Sequence, residues 1–92
     1  MTKYLIEVPH DPDTQACAQV VQVFLTTGSH LLSNADWGCL AGVHSAWLIV
    51  ETSSEKEARN LVPPQFRASA RITALNKFTL EDVSSILSHH SV

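Results

Sequence analysis

Twice in this chain an apolar, strand-like run passes through polar cap residues into a helix-like run. "YLIEVPHDPDTQACAQVV" begins at Tyr4 and "WLIVETSSEKEARNLV" begins at Trp47. In each, β-branched and aromatic residues give way to Ser, Thr or Asp, and then to apolar residues at helical spacing. A strand that leads into a helix twice over, with further strands between and after, is best satisfied by helices packed on one sheet.

The remaining signals fill in the order. Tyr4 to Val8 reads as a strand stopped by Pro9. Asp13 or Thr14 can cap the first helix, in which Cys17, Val20, Val21, Phe24 and Leu25 recur at helical spacing before Gly28 ends it. "HLLSNADWGCL" reads as extended, and Ala41-Gly42 as a tight turn into the strand "VHSAWLIVET". Ser53 or Ser54 caps a second helix with Glu57 in its first turn, and Pro63-Pro64 stops it. "ARITALNKF" is a fourth strand, and "TLEDVSSILSHH" a short terminal helix opening at Thr79. The order predicts an α+β fold, a ferredoxin-like βαββαβ sandwich with a four-stranded antiparallel sheet, both helices on one face, and a short C-terminal helix.

With 92 residues the chain is expected to form a single domain, residues 1–92, and at 45% hydrophobic against 16% charged it is apolar enough to fold. The net charge of −3 comes without a basic stripe, so nucleic acid and anionic membranes are not expected partners. No apolar run approaches a bilayer span and "MTKYLIEV" has no signal-like core, so a cytoplasmic location is expected, with Cys17 and Cys39 as thiols. Aligning Tyr4-Leu5-Ile6 with Trp47-Leu48-Ile49 puts Tyr4, Ile6, Trp47 and Ile49 on one sheet face, and Leu5, Leu48 and Val50 on the other. Both faces are then apolar, and a second copy is the simplest cover for the face without helices. A homodimer through that open face is expected.

If Ala41 and Gly42 centre the turn, Cys39 and His44 oppose each other and share a face. Strand alternation adds Trp37, Ala46, Leu48 and Val50 to it, and the internal repeat adds Leu5 and Glu7. His10 follows the first strand, so Glu7, His10, Cys39 and His44 converge at one end of the sheet, with Asp36 turned away. Cys39 and His44 are the candidate metal ligands, and Glu7 and His10 the candidate cofactor-binding groups. The donor types suit a divalent transition metal, Ni, Zn or Cu. Two other uses stand beside this one: an acid–base pair of Glu7 with His10 or His44, and a thiolate at Cys39. A plain structural reading makes Cys39 a small filler, His44 a turn residue and Glu7 an ion-paired surface acid. Cys17 reads as core, His30 as a cap or solvated residue, and Trp37 and Trp47 as core or interface anchors. Arg67 offers a guanidinium to a carboxylate or pairs at the surface. No catalytic residue stands out.

"KYLIEV", "GVHSAW" and "EARNLVPPQFR" together give the chain a family likeness. It resembles the small stand-alone ferredoxin-like proteins of the dimeric α+β barrel group. Within that group it is similar to a set of short bacterial proteins, some of which bind nickel. The resemblance implies a dimer, and His44-Ser45 matches a strand-borne Val-His-Ser there, which implies His44 as a ligand. Isomerases related to muconolactone isomerase and heme-degrading or quinol monooxygenases share the broader fold. Three functional readings follow: a homodimer that binds a metal or small ligand, a cofactor-independent isomerase or monooxygenase acting on a small organic acid, and a structural or regulatory dimer.

Overall fold

The centre of the sheet is β1 (Thr2–Pro9), which pairs antiparallel on both sides. On one side lies β3 (Ser45–Thr52), in a register that sets Tyr4 opposite Val50, Ile6 opposite Leu48 and Pro9 opposite Ser45. On the other lies β4 (Arg71–Leu75), with Ile6 opposite Ile72 and Glu7 opposite Arg71. The short β2 (Asp36–Trp37) pairs antiparallel with the outer edge of β3, giving a four-stranded sheet of order β2-β3-β1-β4. The computed structural model describes residues 1–90, His90 by its backbone only. The class is α+β, with every strand pair antiparallel.

The helices form where cap chemistry starts them. Asp13 accepts from Ala16 N to open α1 (Thr14–Thr26), and Gly28, at φ 81°, follows the last residues in the left-handed region that lets the chain leave a helix without strain. Ser54 Oγ accepts from Glu57 N while Glu57 Oε2 accepts from Ser53 N, and α3 (Glu55–Asn60) follows. Thr79 and Asp82 exchange the same pair of bonds at the start of α4 (Leu80–His90). Burial of Val20 and Phe24 from α1 and Ala58 from α3 seals one sheet face against Tyr4, Ile6, Val8, Ala46, Leu48 and Val50. Trp37 closes the edge, its ring 5.0 Å from Phe24 at 66°.

Two expectations about this sheet are corrected. "HLLSNADWGCL" is not extended throughout. Ser29 Oγ accepts from Leu32 N and starts a helical turn, α2 (His30–Ser33), which buried Leu32 anchors to the core. The faces are also reassigned. β1 and β3 run antiparallel, so Tyr4 and Ile6 share the helix-covered face with Val50 and Leu48, while Leu5 and Glu7 share the open face with Ile49 and Trp47. The parallel alignment of the two repeats was off by one residue, and one residue exchanges the faces.

The open face has an apolar centre and a charged border. Leu5, Trp47 and Ile49 occupy the middle, with Ile49 57% exposed, and Lys3, Glu51 and Arg71 lie around them. Leu80, Val83 and Leu87 recur at helical spacing along α4, and all three stay exposed. No helix among the described residues is long and apolar enough to cross a membrane.

Candidate metal centre

One end of the sheet gathers two connections and the start of a helix. The antiparallel pairing of β1 with β3 brings the end of β1 beside the start of β3. The β1–α1 connection, the first turn of α1 and the β2–β3 connection therefore meet there. His10, Cys17, Cys39 and His44 come from these three pieces.

The β2–β3 connection is not the two-residue turn expected at Ala41-Gly42. The last β2–β3 pair is Trp37 with Ala46, and Gly38 N donates to Ser45 O at 3.1 Å just beyond it. The chain then winds through a 3₁₀ turn at Cys39–Ala41, with Gly42 at φ 85° closing it. Gly38 O accepts from both Ala41 N and Val43 N, so this one carbonyl organises the loop. Gly38 has no room for a side chain: a Cβ would sit 2.6 Å from Trp47 Cζ3 and 2.6 Å from Val43 O. Cys39 and His44 are accordingly loop neighbours, not a cross-strand pair. His44 is held on its far side by its carbonyl, which accepts from His10 N at 3.1 Å.

The side chains converge more tightly than the backbone. The Cys17 thiol donates to Cys39 Sγ at 2.9 Å, and His10 Nε2 lies 3.2 Å from the same sulfur. The rings of His10 and His44 meet edge to face with centroids 5.8 Å apart, and His10 also lies against Trp37 at 5.9 Å. One donor atom from each of His10, Cys17, Cys39 and His44 lies within 4.8 Å of every other. All four residues are half-buried.

Two further observations bear on the chemistry. His10 Nδ1 and His44 Nδ1 are buried without a hydrogen-bond partner, and among the described residues they are the side-chain nitrogens or oxygens of which that is true. A buried polar atom left unpaired costs about 1–3 kcal/mol, and both of these atoms belong to rings of the cluster. Burial also pushes the Cys39 thiol above its ordinary pKa; the hydrogen bond with Cys17 and the repulsion between two neighbouring thiolates act the same way. A bound cation removes that obstacle by replacing the protons.

The expected site residues divide. His10, Cys39 and His44 are brought together; Glu7 is not. Glu7 stands on the open face, where Oε1 accepts from Trp47 Nε1 at 3.1 Å and Oε2 lies 3.8 Å from Arg71 Nε. Its charge is answered there, and the sheet separates it from the cluster. Cys17 was missed. Its place on the apolar stripe with Val20 and Phe24 was legible, but that stripe starts at the end of the sheet where the β2–β3 loop folds over. His30 begins α2 and is exposed. Arg67 is committed to the backbone, donating to Val62 O at 2.8 Å and Asn60 O at 2.9 Å, and so is not offered to a ligand.

No protein-family model matches the chain, and no curated protein or solved structure matches it.

Proposed function

We propose that this protein binds a divalent transition metal ion through His10, Cys17, Cys39 and His44. The observation that carries the reading is the convergence of four donor atoms within 4.8 Å, in the cluster that also holds the two unpaired ring nitrogens. Two thiolates and two imidazoles are a zinc-type donor set, and the same set accepts Ni²⁺ or copper. Four protein ligands leave no position for a substrate on a tetrahedral ion, which favours binding and cross-linking over metal-assisted hydrolysis. Around a tetrahedral Zn²⁺ with Zn–S near 2.3 Å and Zn–N near 2.0 Å, donor atoms stand about 3.3–3.8 Å apart. The 2.9 Å and 3.2 Å contacts to Cys39 Sγ are shorter than that, so the ion enters as Cys39 moves outward by a fraction of an ångström.

The test is metal analysis of untagged protein, then titration of the demetallated, reduced chain with Zn²⁺ and Ni²⁺. One ion per chain is expected. The Cys17→Ser and His44→Ala variants, each checked for an unchanged fold by circular dichroism, should lose tight binding. No stoichiometric uptake, or uptake indifferent to both substitutions, ends the reading.

The same proposal includes a ferredoxin-like topology and a homodimer. Read from the β4 edge the strand order is β4-β1-β3-β2, with the neighbouring strands antiparallel, which supports the first. The apolar centre of the open sheet face, Leu5, Trp47 and Ile49, supports the second.

A further inference from the structure

We infer that the metal centre is redox-gated: oxidation of Cys17 and Cys39 to a disulfide expels the ion, and reduction restores the site. The inference rests on the metal reading and adds its regulation. Its basis is the separation of the two sulfurs, 2.9 Å in the dithiol. A disulfide requires about 2.05 Å, and two thiolates on one tetrahedral ion require about 3.8 Å. The observed distance lies almost midway, so the same two side chains reach either state by a movement of about 0.9 Å.

The fold places that movement on one partner. Cys17 is in the first turns of the 13-residue helix α1, whose stripe is locked into the core by Val20 and Phe24. Cys39 opens a three-residue 3₁₀ turn between Gly38 and Gly42, in a loop whose Leu40 and Val43 are exposed. A loop held by a few main-chain bonds yields more readily than a packed helix.

The chemistry balances with a peroxide as oxidant. In the metal-bound chain the two thiolates give up two electrons and join as S–S. The peroxide O–O bond breaks, and its oxygens take those electrons and two protons to leave as two waters or, from an organic peroxide, as water and an alcohol. The metal ion keeps its charge and departs, because the disulfide sulfurs no longer carry the negative charge that held it, leaving two imidazoles. A thiol reductant reverses the step by disulfide exchange, returning both protons to sulfur.

The experiment uses the full chain loaded with zinc and treated with one equivalent of hydrogen peroxide. A chromogenic zinc chelator, a thiol titration and intact mass are read together. The expected result is release of the bound zinc in step with loss of two thiols, a mass decrease of about 2 Da, and a peptide linking Cys17 to Cys39. Treatment with a dithiol should restore zinc uptake in full. The Cys17→Ser variant should give no intramolecular bridge and instead gain oxygen at Cys39. Zinc uptake followed by a bridge that leaves zinc in place, or by oxygen addition or intermolecular disulfides without a 17–39 bridge, overturns the inference while sparing the metal reading. A reduced chain that takes up none of the metals tested overturns both the metal reading and the gating, whether or not a 17–39 bridge then forms.

Discussion

His10 and His44 are bound to each other twice over: the amide of His10 donates to the carbonyl of His44 at 3.1 Å, and their rings meet edge to face with centroids 5.8 Å apart. The main-chain bond extends the β1–β3 ladder one residue beyond Pro9 and Ser45, so two imidazoles far apart in sequence are fixed by sheet register. His44, though in the same β2–β3 connection as Cys39, is tied to β1 by this bond. With Cys17 on the packed helix α1, three of the four donors are held by sheet or helix and Cys39 alone rides on the 3₁₀ turn.

Zinc should stabilise the protein markedly. An ion that binds the folded chain alone adds about 2.7 kcal/mol at a free concentration of about 100 times its Kd. For a domain of this size that is a rise in Tm on the order of 10–20 °C. Differential scanning calorimetry with and without zinc checks it. Cys17→Ser and His44→Ala should each remove most of the rise.

Glu7 is expected to be irrelevant to the metal. Glu7→Gln removes the ionic half of its contact with Arg71 and weakens the bond from Trp47, on the face away from the cluster. The arginine is largely exposed, so the stability loss should be within about 1 kcal/mol. Zinc stoichiometry and affinity should not change, while Trp47 fluorescence should. A tenfold loss of zinc affinity would contradict the placement of Glu7.

Gly38→Ala should disturb the site without touching a donor. The new methyl meets the Trp47 ring and the Val43 carbonyl, each at 2.6 Å, and the carbonyl is main chain, so the loop must shift. A cost of about 1–3 kcal/mol is expected in denaturant unfolding, together with weaker zinc binding because Cys39 is the next residue.

The helix caps give the metal-free protein an acid-side pH dependence. Glu57 is held below its ordinary carboxylate value by hydrogen bonds from Ser53, and Asp82 below its own by bonds from Thr79. A carboxylate with a lowered folded-state pKa contributes stability that is present above its unfolded value and is lost as pH falls through the folded one. Melting curves from pH 6 to pH 3 should therefore show Glu57→Gln less stable than the parent at the upper end and converging with it at the lower. A constant gap across the series would refute this account.

The open face should join two copies. Light scattering is expected to give twice the 10.1 kDa chain mass, and Ile49→Glu, which puts a charge at the centre of that face, should return a monomer with its zinc site intact. A monomeric parent protein at working concentration ends the proposal.

Much of the fold was legible because its signals are local. Asp13, Ser54 and Thr79 start helices by reaching backbone amides three residues ahead, and Tyr4 to Val8 announces a strand by composition. What escaped depends on partners distant in sequence. Strand pairing direction decided that Tyr4 faces with Val50 and not with Trp47. Ala41-Gly42 has turn chemistry, but the reversal is a longer 3₁₀ turn at Cys39–Ala41, organised by the Gly38 carbonyl accepting from Ala41 N and Val43 N. Three of the cluster residues, His10, Cys39 and His44, were recognisable by type and by their place at one end of the sheet. Cys17 was not, because a thiol on an apolar helix stripe looks the same whether it packs or ligates.

The two-residue length of β2 has a kinetic consequence. With only two pairs holding Asp36 and Trp37 to β3, the amides of this corner should exchange with solvent well before those of the β1–β3 rungs. If the proposed ion binds, its residence time would be governed by how often that corner opens, and hydrogen exchange confined to Asp36–His44 would be a clock for its departure.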